Sequence, residues 1–164
     1  MIKQRYEEAV VFHGHRCPGL ALGVRAAWEA QRRLGTDMVC VAESINCTVD
    51  GIQSLLGCTF GNGKLLCRPT GKCAFSFYDT NSGESFRVIQ RKLPQGLDME
   101  EKIDLILTAP LEQVFVLGSV RRPLRPKTKR APALVCEGCG ETADEDKMRR
   151  VNGQNLCLDC AEEA

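Results

Sequence analysis

Four cysteines close to the C-terminus constrain this chain more tightly than anything else in it. Cys136-Glu-Gly-Cys139 and Cys157-Leu-Asp-Cys160 are two C-x-x-C pairs separated by seventeen residues, 140 to 156. That spacing suits a four-thiolate zinc site, because two cysteines three apart in a tight turn can reach one ion and two such turns complete a tetrahedron. Gly138 and Gly140 allow the positive φ such a knuckle often needs. A module of about thirty residues buries almost no apolar core, so most of its folding free energy has to come from the metal. A closed four-sulfur shell leaves no position for chemistry, which predicts a structural zinc. A dithiol redox pair and an iron–sulfur cluster are the minority readings, the first because no βαβ pattern surrounds the cysteines.

The remaining chain is long enough for one domain of ordinary size beside that appendage. Arg121 to Ala133 holds six Arg or Lys, three Pro and no acid, so it cannot build a core and reads as a linker. The expected division is a core domain over 1–120, a basic Pro-rich linker over 121–133 and the zinc ribbon over 134–164. With 43% hydrophobic and 26% charged residues and a net charge of +1, the composition is that of a globular protein whose overall charge points to neither nucleic acid nor membrane. No stretch approaches the roughly 20 apolar residues of a membrane span. The opening Met1-Ile-Lys-Gln-Arg-Tyr-Glu-Glu lacks the apolar core of a secretory signal. A cytoplasmic location is expected, and in that reducing compartment the ten cysteines point to metal binding rather than a disulfide framework.

Within the core domain, helical spacing of apolar residues predicts a short helix over 3–12 and a longer one from Pro18 to Leu34, ended by Gly35. Gly19, Gly23 and Ala27 form a stripe of small residues on the second. Met38 to Val49, rich in Val, Ile, Cys and Thr, reads as a strand, with Asp50 capping a short helix over 51–56. Strands over 65–68, 73–79 and 85–90 read as an antiparallel meander. Asp98 and Glu101 form a capping box for a helix over 99–108, and 114–116 reads as a last strand. The predicted elements are an antiparallel sheet with packed helices, plus the ribbon.

Both histidines lie in Phe12-His13-Gly14-His15-Arg16-Cys17-Pro18-Gly19, just before a predicted helix. Cys17 would sit at or beside the N-cap, where free N–H groups and the helix dipole favour a thiolate. An imidazole two residues away and Cys58 would complete a mixed nitrogen and sulfur site. Equally consistent with the spacing, His13 and His15 cap a turn while Cys17 and Cys58 are small buried hydrophobes. Cys40, Cys47, Cys67 and Cys73 lie in strand-like runs and are assigned to packing, as is Trp28.

The run Phe12 to Gly23, with Asp50-Gly-Ile-Gln53 and Gly57-Cys-Thr-Phe-Gly-Asn62, resembles the family of the E subunit of formylmethanofuran dehydrogenase over roughly residues 5 to 120. Some members of that family carry a C-terminal ribbon as here. The resemblance implies an α+β homodimer with a metal pocket built around His15, Cys17 and Cys58, and with His13, Asp50 and Gln53 nearby. In the namesake complex, which handles the first one-carbon step of methane formation, redox chemistry belongs to the molybdenum or tungsten subunit. This chain offers neither a pterin site nor a full set of ferredoxin cysteines.

The favoured function is a non-catalytic accessory protein, tied to molybdenum or tungsten enzymes or to metal metabolism. It would hold zinc in the ribbon and a second divalent transition metal, taken as zinc, in the core. A metal-dependent enzyme with an open His/Cys position, served by Asp50 or His13 as general base, is the alternative. A ribbon-based nucleic-acid binder using Arg121, Arg122, Arg125, Lys127, Lys129 and Arg130 is weaker, because the tail itself is rich in acids. A protein contact through the ribbon is preferred to nucleic acid, and no membrane partner is expected.

Overall fold

The structure is a computed structural model that describes residues 1–124 and 131–163. The middle of the basic linker, with Arg125, Lys127, Lys129 and Arg130, lies outside the described residues. The chain divides into two compact units, Met1–Leu124 and Arg125–Ala164.

The first unit opens with α1 (Ile2–His13), closed by Gly14 in the left-handed conformation at φ 93°. Helix α2 (Pro18–Leu34) follows, with Cys17 as N-cap and Pro18 in its first turn, where a missing N–H costs nothing. Strand β1 (Met38–Ala42) leads into α3 (Cys47–Leu56), then β2 (Leu65–Cys67), β3 (Ala74–Asp79) and β4 (Ser85–Gln90). Helix α4 (Met99–Thr108) carries the expected Asp98/Glu101 capping box, and a single turn, α5 (Leu111–Val114), precedes β5 (Phe115–Gly118).

The five strands lie in the order β2-β1-β3-β4-β5. β1, β3, β4 and β5 pair antiparallel, with Cys40 opposite Phe77 and Phe75 opposite Val88. β2 departs from the predicted meander: it runs parallel to β1, Cys40 opposite Leu65, and so never pairs with β3. The second correction concerns Met38 to Val49. The strand stops at Ala42, and Asn46, whose side chain accepts from Thr48 N at 3.0 Å, starts a helix at Cys47. β-branched Thr48 and Val49 suggested a strand, but a good N-cap followed by burial of the helix face overrides that preference.

Helix α2 is the central element. Leu20, Ala21, Val24, Ala26, Ala27 and Ala30 are fully buried, and α1, α3 and α4 pack around it above the sheet face carrying Phe75, Phe77 and Val88. Trp28 is only half-buried. The small-residue stripe allows backbone contact. A Cβ on Gly23 would stand 2.0 Å from the Thr48 carbonyl oxygen, and one on Gly51 would stand 2.5 Å from Val24 N. The contact reaches the start of both helices, a Cβ on Gly19 lying 3.1 Å from Cys47 Cβ, so the N-terminus of α3 stands beside that of α2. Among the described residues no helix is long and apolar enough to cross a membrane.

The second unit consists of two hairpins and a helix: β6 (Ala133–Val135) with β7 (Thr142–Asp144), β8 (Met148–Val151) with β9 (Gln154–Cys157), and α6 (Leu158–Glu162). Asn152 and Gly153, both at positive φ, make the tight β8–β9 turn.

Candidate metal centres

Three helix ends converge in the first unit. His13 is the last residue of α1, Cys17 caps α2 and Cys47 begins α3. The loop between the first two is fixed from below by buried Tyr6, whose hydroxyl accepts from Cys17 N at 3.0 Å and donates to Cys17 O at 3.3 Å. Arg16 ties the loop outward through Glu7 and Glu100. His15 stacks obliquely on His13, ring centroids 4.3 Å apart.

The result is a group of four potential ligand atoms, from His13, His15, Cys17 and Cys47, all within 4.8 Å of one another. A tetrahedral zinc with its usual bond lengths separates neighbouring nitrogen and sulfur ligands by about 3.3–3.8 Å. Cys17 Sγ and His13 Nε2 already stand 3.8 Å apart. The donor set, two imidazoles and two thiols, is that of a zinc or other borderline-soft divalent ion. Behind it, His13 Nδ1 lies 2.7 Å from Asp50 Oδ2, and Asp50 Oδ1 accepts from Gln53 Nε2 at 3.0 Å. A carboxylate only accepts, so Nδ1 is the donor to Asp50, and in the neutral ring the lone pair is then on Nε2, the nitrogen facing Cys17; carboxylate, imidazole and ion in line is how ligating histidines are held. With both its oxygens engaged, Asp50 is placed to orient His13 rather than to take protons from a substrate.

Cys58 is not brought to this group. It is 1% exposed, its thiol donates to Met38 O at 3.2 Å, and burial pushes its pKa up. Cys40 is fully buried, and Cys67 and Cys73 are half-buried against the core, in keeping with packing. Cys47 takes the place foreseen for Cys58. Its thiol is pushed up by burial and by the adjacent Cys17 thiol. Its sequence signal was Asn46 as N-cap, after which Cys47, Asp50 and Gly51, at i, i+3 and i+4, fall on one helical face.

In the second unit Cys136, Cys139, Cys157 and Cys160 also bring their sulfurs within 4.8 Å of one another. Backbone N–H groups of Gly138 and Cys157 reach Cys136 Sγ at 3.4 and 3.2 Å. Hydrogen bonds from the backbone, those of Cys139 and Cys157 foremost, lower the Cys136 pKa to about 6. Only the first pair sits in a knuckle between strands, where Gly140 has φ 78°. Gly138 serves differently: a Cβ there would press on Cys160 Sγ and Leu156 Cδ2, both at 3.2 Å. The second pair belongs to a helix start, Cys157 capping α6 and Cys160 within its first turn.

An α+β unit bearing a His/Cys cluster at converging helix ends, followed by a four-cysteine finger, defines a two-part metal-binding protein. Residues 12–116 match the family described as FmdE, molybdenum formylmethanofuran dehydrogenase operon, and residues 132–164 match the prokaryotic dksA/traR C4-type zinc finger. The chain belongs to the FmdE family. A probable S-adenosyl-L-methionine-binding protein of Archaeoglobus fulgidus is 37% identical over 192 aligned positions, which cover 92% of this chain and 50% of that protein, so the chain spans about half the length of this curated relative. The crystal structure of a tungsten formylmethanofuran dehydrogenase FmdE-like protein from Syntrophus aciditrophicus is similar with a TM-score of 0.71 at 26% identity, covering 99% of this chain and 93% of that one.

Proposed function

We propose that this FmdE-family chain is an accessory protein that holds two metals, a structural zinc on Cys136, Cys139, Cys157 and Cys160 and a second divalent ion, zinc by its donor set, on His13, His15, Cys17 and Cys47. Asp50 and Gln53 hold His13 in its ligating tautomer. The observation that carries the core site is the meeting of four ligand atoms within 4.8 Å at three helix ends, with a carboxylate behind the most buried imidazole. The family match and the similarity to a tungsten formylmethanofuran dehydrogenase FmdE-like protein support service to molybdenum or tungsten enzymes; a cytoplasmic location, a homodimer and a protein contact through the ribbon belong to the same proposal. Metal content per chain, by plasma mass spectrometry on wild type, Cys17→Ser and Cys136→Ser purified without chelator, tests the reading. Two metals in the wild type and one in each variant are expected. One metal, lost only with Cys136→Ser, would defeat the core site.

A second reading, a metal-dependent enzyme, is favoured by one observation: His15 is exposed while His13 is half-buried, so one side of the cluster faces solvent. A divalent ion held there supplies a Lewis acid and, with a free position, a water of lowered pKa. Cobalt-substituted protein should then change its visible spectrum when azide is added. An unchanged spectrum with the core site fully loaded excludes an exchangeable position.

A further inference from the structure

The two sulfurs of the core cluster stand in an arrangement the metal reading does not exhaust. Cys17 and Cys47 begin neighbouring helices whose first turns touch at Gly19. A Cβ built there would lie 3.1 Å from Cys47 Cβ and 3.9 Å from each of the two sulfurs. Both thiols are half-buried rather than sealed, and the cluster opens on the side of exposed His15. Cys40 and Cys58 are fully buried, and Cys58 is spent on the Met38 carbonyl, so neither competes. The helices themselves are locked by the backbone contact of Gly23 with Thr48 and of Gly51 with Val24, so the bond has to be made by side-chain rotation, from sulfurs that lie within 4.8 Å of one another.

We infer that Cys17 and Cys47 form a reversible disulfide under peroxide, which makes the core cluster an oxidation-sensitive site. One thiol, as its thiolate, attacks a peroxide oxygen and breaks the O–O bond, becoming a sulfenic acid, and the hydroxide that leaves takes up the proton the thiol gave up to become water. The second thiol attacks that sulfur, and the hydroxyl leaves with the thiol proton as a second water. Two thiols and one hydrogen peroxide become one disulfide and two waters, the sulfurs being oxidised and the peroxide reduced. Only His13 and His15 then remain as donors, and an ion bound there is released. That release rests on the metal reading above; the disulfide itself does not. The finger also brings sulfurs together, Cys139 and Cys157 at 3.9 Å, but it lacks the apolar scaffold that would let it survive the loss of its ion. The first unit keeps a continuous apolar core from Tyr6 to Phe115 whether its cysteines are reduced or joined, which is what makes the core event reversible.

The test treats the full chain, zinc-loaded, with stoichiometric hydrogen peroxide. Released zinc is followed with a chromophoric chelator, and disulfides are mapped by peptide mass spectrometry after alkylation of free thiols. A linked pair of peptides containing Cys17 and Cys47, 2 Da lighter than the sum of the reduced ones, should appear in step with one zinc per chain and vanish on dithiothreitol. Cys47→Ser should give no such pair, its finger zinc being retained at the same peroxide dose. If the cross-link forms in protein that takes up no core zinc when zinc is supplied, the disulfide stands and the metal reading falls. If the core zinc is present and peroxide yields only finger cross-links or a sulfinic acid on Cys17, the inference falls and the metal reading stands.

Discussion

Asp50 has two partners, His13 Nδ1 at 2.7 Å and Gln53 Nε2 at 3.0 Å, and through the first it decides which nitrogen of His13 is free. Asp50→Asn keeps the shape and removes the charge that makes the imidazole a stronger donor. Loss of such a partner typically weakens metal binding by about 10- to 100-fold. The core metal of Asp50→Asn should therefore bind at least about tenfold more weakly in competition with a chromophoric chelator, while the finger metal is held as before. Unchanged core affinity would mean that His13 is not a ligand. Cys47 adds a pH dependence of definite sign. Burial and the Cys17 thiol raise its pKa, so the metal-free site holds that proton at neutral pH and binding must expel it. Core affinity should fall as pH falls, by about tenfold per unit for each proton expelled. Isothermal titration in buffers of different ionisation enthalpy counts those protons directly.

At the scale of elements, the α2–α3 contact is the feature that places Cys47. Gly23→Ala would drive a methyl into the Thr48 carbonyl, 2.0 Å away, which backbone atoms can relieve only by parting the helices. Overpacking of this kind costs about 1–3 kcal/mol. Gly23→Ala should lower the free energy of unfolding, read from denaturant titration, by that amount and weaken core metal binding as well, whereas Asn46→Ala, which removes only the cap, should cost about 1 kcal/mol. On the sheet, buried Arg87 donates to Glu43 Oε1 at 2.6 Å and Thr70 donates to its other oxygen. Burial alone would raise the Glu43 carboxyl, but these bonds outweigh it and leave the pKa below the usual range. Glu43→Gln strands a buried guanidinium and should destabilise the unit by about 3 kcal/mol at pH 7. Because the folded pKa is depressed, that stabilisation is complete above the unfolded value near pH ~4.3 and fades as pH falls through the folded one. Stabilities of wild type and variant should therefore converge in acid. These same elements show how far the sequence could be read. The α2 cap and stop, the Asp98 capping box and the clustering of the finger's four cysteines were legible because each is a local pattern. Cys47 was not, because two β-branched neighbours imitate a strand and its partners lie about thirty residues upstream. The inward placement of Cys58 on the Met38 carbonyl was not legible, because a thiol shortly after a helix satisfies spacing equally well whether it turns inward or outward. Parallel β2 was hidden because pairing across α3 is a tertiary event.

For the molecule as a whole, the two units draw on different sources of stability. The apolar cluster that contains Tyr6, Leu20, Val24, Phe75, Phe77, Ile106 and Phe115 comes entirely from residues 1–124. Among the described residues of the second unit, only Cys136 and Leu156 are buried. A strong chelator should therefore act on the two units unequally. In hydrogen–deuterium exchange of the full chain, amides in β6 to α6 should lose nearly all protection once metal is removed, because two buried side chains cannot offset the conformational entropy of about 30 ordered residues. Amides of β1, β3 and β4 should keep theirs, since the core cluster can supply a donor set without being what holds the helices together. If the finger stayed protected without metal, packing would have to account for it, and two buried residues offer none. If instead the sheet lost protection along with the finger, the core ion would be part of the folding free energy of the first unit, and its cysteines could not be oxidised and recovered without unfolding.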